Sequence, residues 1–316
     1  MGFAGFCFQK VDFINQSGHD KLTLSTKPFF CTMSVFSELF RADNPDIPSP
    51  RRVRHPLQLR PARVHQVEDV GAHRRHITLE GPALQSLESD GFDDHLKLLL
   101  PPPGVTELPT PSIGSRGLPE WPANRPQPVA RDYTPLAVDR AAGRLTLGFY
   151  LHGDGPAARW AAAAQVGDAV LIGGPRGSAV WPTDLRWQWL VGDESALPAI
   201  QRRLAELPPS VDVTVVLDLA HPTAPLPPLA LGGRTLHIVP RPTRGEPDEI
   251  SAPLLRQLAA LPRPQGRGFA WVGVERHSAR AARQWLYDVV GLAKGQVRAT
   301  AYWQRGVSGG VEALEG

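Results

Sequence analysis

Cysteine is almost missing from this chain: of 316 residues only Cys7 and Cys31 carry a thiol. Two cysteines near one end cannot build a disulfide framework, a thiolate zinc site or an iron–sulfur centre. Long apolar runs are missing too, and none approaches the roughly 18 residues of a membrane-spanning helix. Charge of one sign is not in large excess, because a net charge of +3 gives no electrostatic footprint for nucleic acid. The short run Arg51-Arg52-Val53-Arg54 reads as a solvated tail. Internal repeats are absent, and so is the GxGxxG dinucleotide fingerprint. The ten histidines are scattered, and His73 and His76, flanking arginines, read as solvent-facing groups rather than a metal pair. Any metal handled by this protein must arrive with its own ligands.

What is present divides into three parts. Residues 1–32 mix Phe, Lys, Asn, Gln and Ser in a way unlike the Ala/Arg/Pro/Leu-rich body, without the three-part layout of a signal peptide. The expectation is a natural start at Met33, with residues 1–57 a disordered N-terminal extension. The remaining length suffices for two compact domains. Residues 58–183 alternate as an antiparallel barrel does, with strands expected at Leu59–Val70, Arg74–Glu80, His95–Leu100, Val129–Ala137, Arg144–Leu151 and Asp168–Gly173. Ile77 and Leu79, and then Leu145, Leu147 and Phe149, give the period-two pattern of half-buried strands. Six such strands predict a small closed barrel. Pro101–Pro128 is too proline-rich for a regular element and predicts a long surface loop.

From residue 184 to 316 strands and helices alternate instead. Trp187–Val191, Val211–Leu219, Thr235–Val239, Gly268–Val274 and Gln296–Trp303 predict strands. Ala196–Leu207, Asp248–Leu261 and Ser278–Leu292 predict helices. Alternation of this kind implies a parallel sheet with helices on both faces, which binds nucleotides beyond its strand C-termini.

Four segments carry candidate chemistry. Arg131-Asp132-Tyr133-Thr134 closes one barrel strand with a cation, an aromatic ring and a hydroxyl. His152-Gly153-Asp154-Gly155-Pro156 follows the next strand and opens a helix, with proline at its first position. The free N–H groups of that helix suit a pyrophosphate, although an ordinary capped helix has the same text. Together the two segments supply what a flavin dinucleotide needs: Arg131 for pyrophosphate, Tyr133 to pack on the isoalloxazine, and Thr134 to reach its reactive nitrogen. Gly173-Gly174-Pro175-Arg176-Gly177-Ser178 is the turn that leaves the barrel, and it places Arg176 near the flavin. Gly192-Asp193-Glu194-Ser195 lies at the first strand-to-helix junction of the sheet, where nicotinamide nucleotides bind. Its acids either cap the helix or meet ribose hydroxyls.

In this order and spacing, with Asp94-His95-Leu96-Lys97-Leu98-Leu99, Trp271-Val272-Gly273-Val274-Glu275 and Tyr302-Trp303-Gln304-Arg305-Gly306, residues 58–306 resemble the siderophore-interacting protein family. These are FAD-dependent ferric-siderophore reductases of the ferredoxin-reductase-like superfamily. The resemblance implies an FAD-binding barrel at 58–183 and an NAD(P)H-binding α/β domain at 184–316. It implies FAD contacts from Arg131, Tyr133, Thr134, His152, Gly153, Gly155, Pro156, Gly177 and Ser178, with Tyr133 and Thr134 at the reacting edge. Asp193, Glu194, Ser195 and Glu275 would serve the nicotinamide nucleotide. Lys97, Arg176 and Arg305 match a basic cluster that attracts the anionic ferric siderophore, while Leu136 stands where an Arg is common. The implied protein is a cytoplasmic monomer without membrane insertion or a nucleic-acid partner, with ferredoxin as an alternative donor.

Overall fold

The computed structural model describes residues 47–102, 104–105, 108, 111–114, 119–124, 127–151, 153, 155–307 and 312–313. The expected start at Met33 lies outside them. The first half contains β1 (Arg51–Arg54), β2 (Leu59–Asp69), β3 (Arg74–Glu80), β4 (Leu96–Leu100), β5 (Ser112–Ile113) and β6 (Pro119–Glu120). It continues through β7 (Val129–Tyr133), β8 (Pro135–Asp139), β9 (Arg144–Tyr150), α1 (Pro156–Ala163), β10 (Ala169–Gly173) and β11 (Gly177–Val180).

Seven of these strands form one antiparallel sheet in the order β7-β4-β10-β2-β3-β9-β8. β7 and β8 thus occupy opposite edges, yet only Thr134 separates them along the chain. The sheet must curl until its edges meet, and Thr134 sits at the seam. A single strand over 129–137 is expected from sequence, but pairing passes here from β4 to β9. Pro135 explains the break, since it donates no N–H and restricts the residue before it. The barrel interior is filled from alternate positions by Ile77, Leu79, Leu98, Leu145, Leu147 and Ile172, all fully buried.

Arg51–Arg54 is not a solvated tail. It pairs antiparallel with β11, Arg51 opposite Val180 and Arg54 opposite Gly177. A side chain at Gly177 would place its Cβ 2.5 Å from the Val53 carbonyl oxygen, so glycine lets the two backbones meet. His55 then bonds Ser178 at 2.8 Å, and the Ser178 hydroxyl donates to Asp94 at 2.6 Å. An all-arginine face carries no apolar alternation, which is why this strand was not visible in the sequence.

The second half holds β12 (Trp187–Gly192), α2 (Leu197–Glu206), β13 (Asp212–Leu219), β14 (Thr235–Pro240) and α3 (Pro247–Ala259). β15 (Gly268–Glu275), α4 (Arg276–Trp285), β16 (Val297–Trp303) and β17 (Glu312–Ala313) follow. The sheet order is β14-β13-β12-β15-β16-β17, parallel except for β17. The chain winds outward from β12 to one edge and then returns to the other side. The order therefore reverses between β12 and β15, where a ligand crevice forms at the strand C-termini. Leu190, Val215 and Trp271 pack with α2 on one face. Val191, Val216 and Val272 pack with α3 and α4 on the other. With both faces covered, β12, β13 and β15 are mostly apolar along their length.

Buried polar contacts fix the sheet against the barrel. Asp93, just before β4, accepts from the Trp271 indole at 3.1 Å and from Arg298 at 2.6 Å. Arg203 of α2 is fully buried and donates to the carbonyls of Trp181 and Pro182, where the chain leaves the barrel.

Candidate active site

A cavity of about 520 Å³ runs from the barrel seam to the C-terminal ends of β12 and β16. The barrel contributes Arg131, Tyr133 and Thr134, and the start of α1 contributes Gly155 and Pro156. The Arg131 guanidinium donates to the Ala130 carbonyl at 2.7 Å. Tyr133 is half-buried with its ring 4.6 Å from that of Phe149, which rests in turn on Trp160 at 5.7 Å. Burial pushes its phenol above the ordinary value, so the ring stays neutral. Thr134 is buried at the seam. From the sheet side come Glu194, Ser195, Thr300, Tyr302 and Trp303.

Two features make this cavity fit FAD. The first is the entry to α1, whose N-cap is Gly155, with Pro156 next and no side chain capping the exposed N–H groups. A Cβ built on Gly155 would meet nothing within 4 Å, so an anion can approach those donors. Gly153, in the turn before it, adopts φ 56°, the left-handed region that favours glycine. The second feature is a pair of atoms, Asp132 Oδ1 and Thr300 Oγ1, that are buried without a hydrogen-bond partner in residues of the cavity wall. Buried polar atoms normally find partners. A flavin dinucleotide offers both kinds of group that such features accept, an anionic pyrophosphate and a polar-edged ring. His152 lies outside the described residues.

The acids at the first strand-to-helix junction turn out to be engaged inside the protein. Asp193 Oδ1 accepts from the Ser195 N–H at 2.9 Å and from the Ser195 hydroxyl at 2.5 Å, while Oδ2 accepts from the Trp303 indole at 2.7 Å. Glu194 accepts from the Ala220 N–H and from Arg241, both at 2.6 Å. Arg241 is the residue that sequence reasoning missed. Standing between two prolines after β14, it faces Glu194, Asp193 at 3.7 Å and Asp218 at 3.6 Å, and its guanidinium lies 5.5 Å above Trp303. Only Glu194 and Ser195 of the junction reach the cavity wall.

Three buried carboxyls around one guanidinium cannot all ionise without cost. Burial raises the Asp193 carboxyl, and burial, aided by the neighbouring acids against the pull of Arg241, pushes Asp218 up to about 7. Both Asp218 oxygens lack a hydrogen bond. Between its ordinary value of 3.8 and about 7, the folded protein holds a proton that the unfolded chain releases. The contribution of Asp218 to stability therefore declines as pH rises through that window. Asp218→Asn, which is neutral throughout, is expected to raise Tm by several degrees at about pH 8 and little at about pH 4. Thermal unfolding at both pH values checks this, and a larger gain on the acid side contradicts it.

The remaining candidates spread over three places. Gly177 and Ser178 close β1 against β11 and do not line the cavity. Lys97 stands opposite Gly173 on the barrel rim, three residues before Arg176, and pairs with Asp132 at 2.7 Å. Both cations are exposed. Glu275 and Arg305 belong to a separate cavity beside α4. A larger hollow of about 940 Å³ bordered by β2 and β10 includes no residue of the Arg131–Thr134 run and none of α1.

A curled antiparallel sheet joined to a parallel sheet, with a cavity where the two meet, defines the fold of a flavin reductase. Residues 63–179 match the siderophore-interacting FAD-binding domain, and residues 185–306 match the siderophore-interacting protein domain. The crystal structure of a siderophore utilization protein from T. fusca is 34% identical, with a TM-score of 0.71 over 82% of this chain and 98% of that one. The chain belongs to the siderophore-interacting protein family. Among curated relatives, the NADPH-dependent ferric-chelate reductase of Escherichia coli is 44% identical over 158 residues, which span 50% of this chain and 61% of that protein. The ferric vibriobactin reductase ViuB of Vibrio cholerae is 29% identical over 73% of this chain and 83% of its own length.

Proposed function

We propose that this protein is an FAD-dependent ferric-siderophore reductase that takes electrons from NAD(P)H and releases siderophore-bound iron as Fe(II). The observation that carries this reading is the convergence of Arg131, Tyr133, Thr134 and the uncapped start of α1 on a cavity that reaches the ends of the parallel sheet. When bound, FAD supplies the exchange between hydride uptake from the nicotinamide and single-electron delivery to Fe(III). The protein supplies position and field. Arg131 and the α1 N–H groups hold the pyrophosphate, and Tyr133, backed by Phe149 and Trp160, gives the ring a rigid wall. Thr134, fixed by the barrel seam, presents its hydroxyl at the reacting edge and can hold a proton there by hydrogen bonding. Glu194 and Ser195 border the nicotinamide side.

Iron needs no protein ligand here, and no cluster of three or more potential metal-binding acids, histidines or cysteines occurs among the described residues. Oxygen donors of a siderophore favour Fe(III), so reduction weakens the chelate and frees the metal for nitrogen or sulfur ligands. Lys97 and Arg176 on the barrel rim steer the anionic chelate toward the cavity. Action as a monomer is part of this proposal. The need for a reduced nicotinamide pool supports a cytoplasmic location.

The test is steady-state kinetics with ferric siderophore, free flavin and a cytochrome as competing acceptors, with a ferrous chelator present to trap Fe(II). The ferric siderophore is expected to show kcat/KM more than about tenfold above the others. Preference for the cytochrome would identify a general electron-transfer reductase instead. Binding of ferric siderophore without reduction, with NADH, NADPH or reduced ferredoxin as donor, would identify a carrier.

A further inference from the structure

One face of the last parallel strand borders the flavin cavity. Arg298, Thr300 and Tyr302 alternate along β16 and all line that cavity, while Ala299 turns the other way into the core shared with α4. Arg298 is held by Asp93 at 2.6 Å. What this face has left to offer a ligand is two hydroxyls. Thr300 Oγ1 and Tyr302 Oη are both buried, and neither makes a hydrogen bond of normal length and angle.

Packing calls for neither hydroxyl. The Tyr302 ring meets Trp271 edge-on with centroids 5.9 Å apart, a contact that phenylalanine makes equally well. Valine has the branched shape of Thr300 and is as well suited to a strand. Each hydroxyl gives up its hydration on burial and finds no replacement in the protein. Buried polar groups in this state are uncommon, and a redox or catalytic role is one of the few reasons for keeping them.

Chemistry and position both point to the ring of the flavin. Burial, with Asp93 beside it, holds the Tyr302 phenol above its ordinary value, and the nearby Thr134 side chain draws it the other way. The phenol therefore stays protonated, close to the hydroxyl that the proposed function places at the reacting edge. Arg131 and the α1 N–H groups suit a pyrophosphate, whereas uncharged hydroxyls suit a polar-edged ring. Hydrogen bonds to an ionised acceptor are about twice as strong as neutral ones. Donors at that edge thus hold the reduced ring, which is anionic near neutral pH, more tightly than the oxidised one.

We propose that Tyr302 and Thr300 donate hydrogen bonds from the parallel sheet to the polar edge of the flavin ring and so raise its reduction potential. This rests on the reductase reading above and adds two residues to its site. In the couple concerned the ring takes up two electrons and one proton, and both hydroxyls keep their own protons throughout. Because β16 belongs to the parallel sheet and not to the barrel, the electron affinity of the ring depends on the half of the protein that receives the nicotinamide nucleotide.

The test compares the full chain with Tyr302→Phe and Thr300→Val, each loaded with FAD and equilibrated with dyes of known potential. Each substitution is expected to weaken reduced FAD about tenfold relative to oxidised FAD, which for a two-electron couple lowers the midpoint potential by about 30 mV. Oxidised FAD is expected to lose less than about tenfold in affinity, so the variants still load. Thermal unfolding of the FAD-free variants supplies a second readout. Their Tm is expected to equal or exceed that of the wild type, because each change removes an unsatisfied buried group. Unchanged potentials overturn the proposal, and so does a lower Tm in the FAD-free variants, which would make the hydroxyls structural. A shift in one variant only overturns the other residue's part. No iron and no nicotinamide enter these measurements. Potentials that fall as expected in a protein that reduces no ferric siderophore would therefore refute the substrate reading alone.

Discussion

Arg131→Ala is expected to lower the affinity for FAD about 100-fold, the loss of a charge-assisted contact worth up to about 3 kcal/mol. The size of the effect follows from what else borders the cavity. Among the described residues only one other guanidinium, that of Arg298, lines it, and that group is paired with Asp93 at 2.6 Å. Arg298 also helps to fix the sheet against the barrel, so it cannot turn to the pyrophosphate without loosening that contact. The α1 N–H groups remain in the variant, which is why binding is weakened rather than abolished. Arg131→Lys keeps the charge but not the fork, and an intermediate affinity is expected. Quenching of FAD fluorescence on titration with protein gives the affinities directly. An Arg131→Ala protein that takes up FAD as tightly as the wild type would contradict the assignment.

The second large effect is expected at the barrel rim. Lys97→Ala combined with Arg176→Ala removes two exposed cations and leaves Asp132 without its partner. The other oxygen of Asp132 already faces the flavin cavity unpaired. The substitution thus changes the summed charge of these three groups from +1 to −1, where an anionic chelate must approach. KM for an anionic ferric siderophore is expected to rise about tenfold at low ionic strength. Because the Debye length is about 10 Å at 0.1 M salt and about 3 Å at 1 M, the difference is expected to shrink as salt is added. KM measured across a salt series separates steering from a local structural defect, since the latter persists at high salt. A KM unchanged at low salt removes Lys97 and Arg176 from the account.

Much of this architecture was legible in the sequence because apolar periodicity carries it. The alternation in β3 and β9 and the largely apolar runs of β12 and β13 place those strands within a residue or two of their positions. What periodicity could not show was the barrel seam. Val129–Ala137 has strand-like composition throughout, and only pairing partners distant in sequence reveal that Thr134 passes the chain between sheet edges. β1 was hidden for a related reason, as its three arginines signal solvent while its backbone pairs with β11.

The site was legible where a local motif holds it. Arg131, Tyr133, Thr134, Gly155 and Pro156 all reach one cavity, as the run and the glycine turn suggested. It was not legible where charge is balanced over long separations. Asp193 and Glu194 read as either helix caps or ribose contacts, and Arg241, which faces both, stands nearly fifty residues later in sequence.

The account depends most on a flavin at the Thr134 seam that exchanges electrons between a nicotinamide and chelated iron. Absorbance spectroscopy of the FAD-loaded protein under anaerobic conditions tests this in one sample. Added NADPH is expected to bleach the oxidised flavin band, and ferric siderophore added next is expected to restore it as a ferrous chelator develops colour. A colourless protein that takes up no FAD, or a bound flavin that NADPH leaves oxidised, would contradict the account.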